Sequence, residues 1–291
     1  MKILLIFLLS LSFSSIFSQA RIDKKRIANK SQIYNRQAEE RFALEVKTID
    51  EFMERFNFAE TTLIRQYLGV INPTAKPNRQ QLLKTLFEAK TQIADSLKRK
   101  FIHSVCDSLN AEYLNFFQPD WFAEARCLFN QGSQHKYITL ILRVQRTQNG
   151  GCKWVIAGAE EFMTNGKSKN VTTNSDYDGE KGLNPYSHVL NFTELEDAFA
   201  DTKNINSYLD EAFITDRTKP ILEAITTKKI NFRYVQDIKY HFMQIDGWIF
   251  SVQQFKRMTR QAGWLISELH SANQFEKDSY KKSVLYLTNN Q

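Results

Sequence analysis

Glycine and proline are scarce in this chain, 10 and 5 among 291 residues, and only three residues are cysteine. The first shortage excludes a collagen-like or low-complexity chain, and the second excludes a disulfide-dense mini-scaffold. Long apolar runs are missing after residue 20, so no later segment has the roughly 20 apolar residues that a membrane helix needs. The five histidines form no H-E-x-x-H and no close pair at metal-ligand spacing, and neither a G-x-S-x-G elbow nor a Gly-rich phosphate loop is present. The sequence therefore assigns no catalytic residue, metal or cofactor. Charge of one sign is lacking too. Against 39 Lys and Arg stand 32 Asp and Glu, and the basic residues sit in short clusters such as Lys24 to Arg26 and Lys98 to Lys100, broken by acids. That pattern describes solvated faces rather than a nucleic-acid stripe.

Present at the start is a secretory leader. Lys2 precedes the apolar run Ile3 to Phe13, and Ser18 and Ala20 stand at the −3 and −1 positions of a cleavage site. An exported, periplasmic or extracellular chain beginning near Arg21 follows from that reading, and integral membrane insertion does not. In an oxidising compartment the odd count of Cys106, Cys127 and Cys152 leaves at least one thiol unpaired. If residues 122–129, 137–147 and 152–160 form a meander, Cys127 and Cys152 lie beyond the ~7 Å reach of a disulfide. Buried free thiols are expected.

Helical and strand periods then alternate twice. Residues 22–46 read as a polar helix with sparse apolar positions. Thr48 and Glu51 form a capping box ahead of Ile49, Phe52, Met53 and Phe56, and a second helical stretch runs from Leu63 to Ile71. Asn78 caps what reads as one long helix to Ile102. From Phe122 the period falls to two, with strands over 122–129, 137–147 and 152–160, and Asn149-Gly150 predicts a type I′ hairpin turn. Residues 164–190 are rich in Asn, Ser, Gly and Thr and read as a linker. Within them Asn174 to Glu180 imitates the opening of an EF-hand loop, but Pro185 occupies the twelfth position where Glu belongs. Asn170 and Asn191 open N-x-T triplets, to which no function is attached. Thr193 and Glu196 form a second capping box, Pro220 starts a further helix, and strands return at 237–245, 248–258 and 264–270 with Asp246-Gly247 as a second hairpin turn.

An α+β fold follows, with helices packed on curved antiparallel sheets in two related helix-plus-meander units, residues 21–163 and 191–291. Ile138, Leu140 and Leu142 match Trp248, Phe250 and Val252 at an offset of 110 residues; Trp154 matches Trp264 and Phe122 matches Phe232 at the same offset. The terminal strands, Gly151 to Ile156 and Gly263 to Ile266, resemble the last strand of the nuclear-transport-factor-two-like cone fold. That resemblance implies a cone with an aromatic pocket and a titratable group at its base, in a family that spans enzymes, ligand binders and assembly modules. Tyr113, Asp120, Trp121, Trp154, His241 and Trp264 are the candidate lining residues. The expected function is a non-catalytic binding or assembly module acting on a protein or envelope component. The alternative is a small-ligand binder, or a lyase or isomerase using the cone cavity. A core filled by the aromatic rings favours the first and an open cavity the second.

Overall fold

Apolar and polar residues alternate from Trp121 onward, and alternation sends successive side chains to opposite faces of an extended chain. A computed structural model describes residues 38–71, 77–160, 181–210, 213, 218–257 and 261–287. The leader, the first part of the polar helix, residues 161–180 and the EF-hand-like loop lie outside the described residues. Among the described residues six strands result: β1 (Trp121–Gln131), β2 (Gln134–Arg146), β3 (Cys152–Ala159), β4 (Asn231–Phe242), β5 (Trp248–Phe255) and β6 (Gly263–Ser271). All neighbours are antiparallel, in the order β3-β2-β1-β4-β5-β6. The two meanders thus join through β1 and β4 into one sheet.

Besides the described end of the polar helix at 38–44, the helices bounded among the described residues are α1 (Ile49–Phe56), α2 (Leu63–Ile71), α3 (Arg79–Thr85), α4 (Asp95–Val105), α5 (Leu195–Ala200), α6 (Lys219–Thr226) and α7 (Gln274–Ser283), with a short 3₁₀ turn at Ile205–Tyr208. Thr48 caps α1 by accepting from the Glu51 amide at 3.1 Å, yet the Glu51 carboxylate accepts from Lys47 rather than from Thr48, so the box is one residue out of step. The long helix expected from Asn78 to Ile102 is broken. Leu86 and Glu88 leave it to exchange backbone hydrogen bonds with Ile266 on β6, and α4 starts afresh at Asp95. The box at Thr193 does not form either. Glu194 is the cap of α5 without a side-chain bond to the helix, because its carboxylate accepts from the Asn184 amide at 2.8 Å. The helix at Pro220 is present as α6. Neither hairpin turn is type I′, since only Gly150 (φ +81°) and Gly247 (φ +71°) have positive φ in them. At the first, Thr147 pairs with Gly151 around a three-residue loop, a turn followed by one left-handed glycine.

One face of the sheet carries Trp121, Phe129, Leu140, Trp154, Phe242 and Phe250 against apolar residues of α1, α3, α4, α5 and α6, all in one core. The opposite face is covered by α7 and the following Leu285 and Leu287, which pack on Phe122, Ile141, Met243 and Ile249. The β2–β3 and β5–β6 hairpins match register for register at the 110-residue offset. Val144 faces Trp154 as Gln254 faces Trp264, and the register slips at the same step, between Ile141 and Leu142 and between Ser251 and Val252. β1 and β4 depart from that offset. Leu142 faces Ala123 whereas Val252 faces Tyr240, so β4 is displaced by seven residues and Phe122 corresponds to Lys239, not to Phe232. Ala123 also pairs directly with Tyr240, which puts a pseudo-twofold axis through the centre of the sheet.

Candidate functional site

The interior of the sheet is filled by rings. Trp121 lies 5.0 Å from Trp154 in an edge-to-face contact and stacks on Phe242 at 5.6 Å, while Tyr240 bridges towards Trp264 at 5.0 Å. All three tryptophans are 5% exposed or less. These rings pack against one another, and an opening appears at their margin. Trp121 donates through Nε1 to the Phe116 carbonyl at 3.0 Å, and Trp154 donates to the Pro185 carbonyl at 3.1 Å. Phe116 packs on both indoles and on His188. The two tryptophans thereby hold two loops, 114–117 and 183–188, as the walls of a groove of about 660 Å³. Its remaining lining comes from α1 and from the Gly150–Cys152 end of β3. That volume falls within the usual range of ligand sites.

The lining is largely apolar with one acidic side. Asp50 and Glu54 lie four residues apart on α1, hence on one helix face. Asp50 accepts from His188 Nε2 at 2.9 Å, and His188 Nδ1 lies 2.8 Å from the Pro185 carbonyl. Glu51 is taken up by Arg55 at 3.0 Å. Glu54 has no ion-pair partner among the described residues; partial burial, followed by the charges of Asp50 and Glu51, pushes its carboxyl up from the ordinary range. Beyond the groove the apolar surface continues. Phe117 is 53% exposed and Tyr186 72%, with Val189 and Leu190 also exposed nearby in sequence. Large exposed rings gathered at one place are unusual on a protein that meets only water.

A second polar cluster sits on the opposite face of the sheet. His241 is fully buried; its Nε2 lies 2.8 Å from Glu124 Oε2 and its Nδ1 lies 2.9 Å from the Tyr280 hydroxyl on α7. Ser251 donates to Glu268 at 3.1 Å, and Lys239 pairs with Glu268 at 2.7 Å. Burial lowers the His241 pKa against the pull of Glu124, which keeps the ring neutral. A neutral ring placed this way accepts from Tyr280 and donates to Glu124. Burial also pushes Tyr280 up to about 12. Ser251 is 1% exposed, so the Ser-His-Glu succession offers no nucleophile to a substrate.

Of the six residues expected to share one pocket, Trp121 and Trp154 meet behind the groove. His241 and Trp264 do not join them. Trp264 lines a separate polar cleft, and His241 stands behind that cleft, bonded to its lining residue Glu124. Tyr113 is exposed and stacks on the Arg79 guanidinium at 4.2 Å, while Asp120 pairs with Lys281 at 2.5 Å. Sequence reasoning missed Glu54, Phe116, His188, Glu124 and Tyr280. Asp50 and Glu54 were visible as an i, i+4 acid pair after a cap, and Asn273 with Glu276 forms a capping box that announces α7. His188 carried no such signal.

All three cysteines are free: Cys127 is buried, as expected, but Cys106 and Cys152 are only half-buried, and Cys152 lines the groove. Among the described residues no helix is long and apolar enough to cross a membrane, and no group of three or more His, Cys, Asp or Glu is placed to hold a metal ion. No protein family model matches the chain, and no curated protein or solved structure is similar to it.

Proposed function

We propose that the chain is an exported, non-catalytic binding module, and that its groove receives a segment of a partner protein carrying a basic residue between apolar side chains. The observation that carries this reading is Glu54, a carboxylate without a cation at the edge of an apolar groove whose exposed rings extend the contact surface. A basic residue from a partner meets Glu54 and Asp50, and its apolar neighbours cover Phe117 and Tyr186. Aromatic residues of this kind are enriched among interface hot spots. The filled core favours a surface role over the enzymatic alternative, because the Trp121, Trp154 and Trp264 indoles are packed against neighbouring rings. Kinship with the cone fold and an origin of the two halves by duplication belong to the same proposal; the shared register and shared slip of the two hairpins support the duplication.

A displayed library of short peptides selected on the full chain tests the reading. Selected peptides should carry Lys or Arg beside aromatic or branched apolar residues, and Glu54→Gln and Tyr186→Ala should each weaken them about tenfold, the ~1.4 kcal/mol expected of one hot-spot contact. Selection of peptides without a basic residue, or binding by both variants as tight as by the unsubstituted chain, would refute it.

A further inference from the structure

β4 reaches further than the strand beside it. β4 and β5 share four pairs, from Lys239 with Gln253 to Phe242 with Phe250, so that among the described residues Asn231–Ile238 pairs with β1 alone. Where β4 and β5 cease to pair, a cleft of about 490 Å³ opens, lined by Glu124, Arg126, Asp237, Gln253, Lys256 and Trp264 among others. It lies apart from the groove and shares no lining residue with it.

Three properties define what fits. First, the charges nearly balance: Arg126, Lys239 and Lys256 face Glu124 and Asp237. An anion would meet two carboxylates and a cation three basic groups, so neither sign is selected. Second, hydrogen-bonding capacity is left over. Arg126, Asp237 and Lys256 have no ion-pair partner among the described residues, and Gln236, Gln253 and Gln254 add amides that both donate and accept. An apolar ligand would strand these groups at a cost in desolvation. Third, one acceptor is fixed in place. Glu124 Oε2 is held by His241, which Tyr280 holds in turn, so the carboxylate meets a ligand already oriented.

We propose that this cleft binds a neutral polyhydroxylated ligand, a saccharide, with Glu124 as the oriented acceptor. Each hydroxyl both donates and accepts, so vicinal hydroxyls pair with carboxylates, amides and guanidinium together. A peptide strand added to the open edge of β4 is the weaker candidate. It would run along β4 in the plane of the sheet, whereas Glu124 and Arg126 belong to β1, on the far side of β4 from that edge.

Calorimetric titration of the full chain with maltotriose, cellotriose and chitotriose at millimolar concentration tests the assignment. At least one should bind. Glu124→Gln should weaken it about 10- to 100-fold, as loss of a charged hydrogen bond does, and Gln253→Ala and Lys256→Ala should weaken it as well. Glu54→Gln, in the separate groove, should leave it unchanged. Lys256 is exposed and removable without disturbing the His241 network, so its variant reads the site even if Glu124→Gln fails to fold. Absence of binding by all three saccharides overturns the proposal. So does binding that ignores Glu124, Gln253 and Lys256, or that falls with Glu54.

Discussion

Gly263 stands where β6 begins and where the chain ahead of α1 is tied to the sheet. The Val46 amide donates to Ala262, and the Val46 carbonyl accepts from Trp264 at 2.8 Å. Gly263 lies between them at φ +88°, and a Cβ built on it would fall 1.9 Å from the Val46 carbonyl oxygen. Gly263→Ala therefore carries two costs. The left-handed backbone costs an L-residue about 1–2 kcal/mol. Relief of the overlap pushes Val46 away and breaks two backbone hydrogen bonds, about 0.5–1.5 kcal/mol each. The total is about 2–5 kcal/mol, or a fall in Tm of at least ~4 °C for a domain of this size. Gly247→Ala is the matched control, because Gly247 also has positive φ (+71°) but nothing within 4 Å of its Cβ position. It should lose only the backbone part, about 1–2 kcal/mol. Thermal unfolding followed by circular dichroism on both variants separates strain from overlap. Equal losses would show that Val46 does not bind the sheet as described.

Trp121→Ala removes a ring packed on Trp154, Phe242 and Phe116, and should cost about 3–5 kcal/mol in denaturant unfolding; Phe117→Ala, at an exposed ring, should cost under about 1 kcal/mol. Burial holds the native pKa of His241 below the ordinary 6.5, so as pH falls through 6.5 the unfolded chain takes up a proton that the native chain refuses. Stability should therefore decline from pH 6.5 down to that lowered native value and level off below it, and His241→Gln, still facing Glu124, Lys239, Ser251, Glu268 and Tyr280, should flatten the profile; parallel profiles would refute the assignment. A maleimide should label Cys106 and Cys152 in the native chain but not buried Cys127, and a peptide bound in the groove should shield Cys152 alone. Protection of Cys106 instead would place the peptide elsewhere.

Features carried by neighbouring residues were legible in the sequence. A strand needs only its own alternation, which is why β1, β3 and β6 fall within a residue or two of expectation, while β2 begins three residues earlier than expected. The break between α3 and α4 was not, because the apolar positions Leu86 and Phe87 fit a helix as well as they fit a bridge to Ile266 on β6, and only the distant strand decides between them. β4 was missed over Asn231–Gln236 for a related reason. That stretch has polar or exposed side chains at most positions and is held as a strand by its pairing with β1.

The same division explains why the candidate sites were hidden. The groove draws on α1, on Leu114 to Phe117, on the turn at Gly150 and on Pro185 to His188, four segments whose meeting depends on how Trp121 and Trp154 direct their indole N–H groups. No spacing in the sequence encodes that convergence. The polar cleft depends on a difference between the two halves rather than on a motif. Where the hairpins agree at an offset of 110, β1 and β4 disagree by seven residues, and it is these extra residues of β4 that outrun β5 and leave the cleft open. An ungapped comparison of the two halves matches Phe122 with Phe232 and passes over the displacement; the strand pairing exposes it, because Ala123 and Tyr240 each face the same position of their hairpin. The departure from symmetry, not the symmetry, is what makes the two halves of the sheet unlike, and it places Glu124 and His241 beside the opening left by β4.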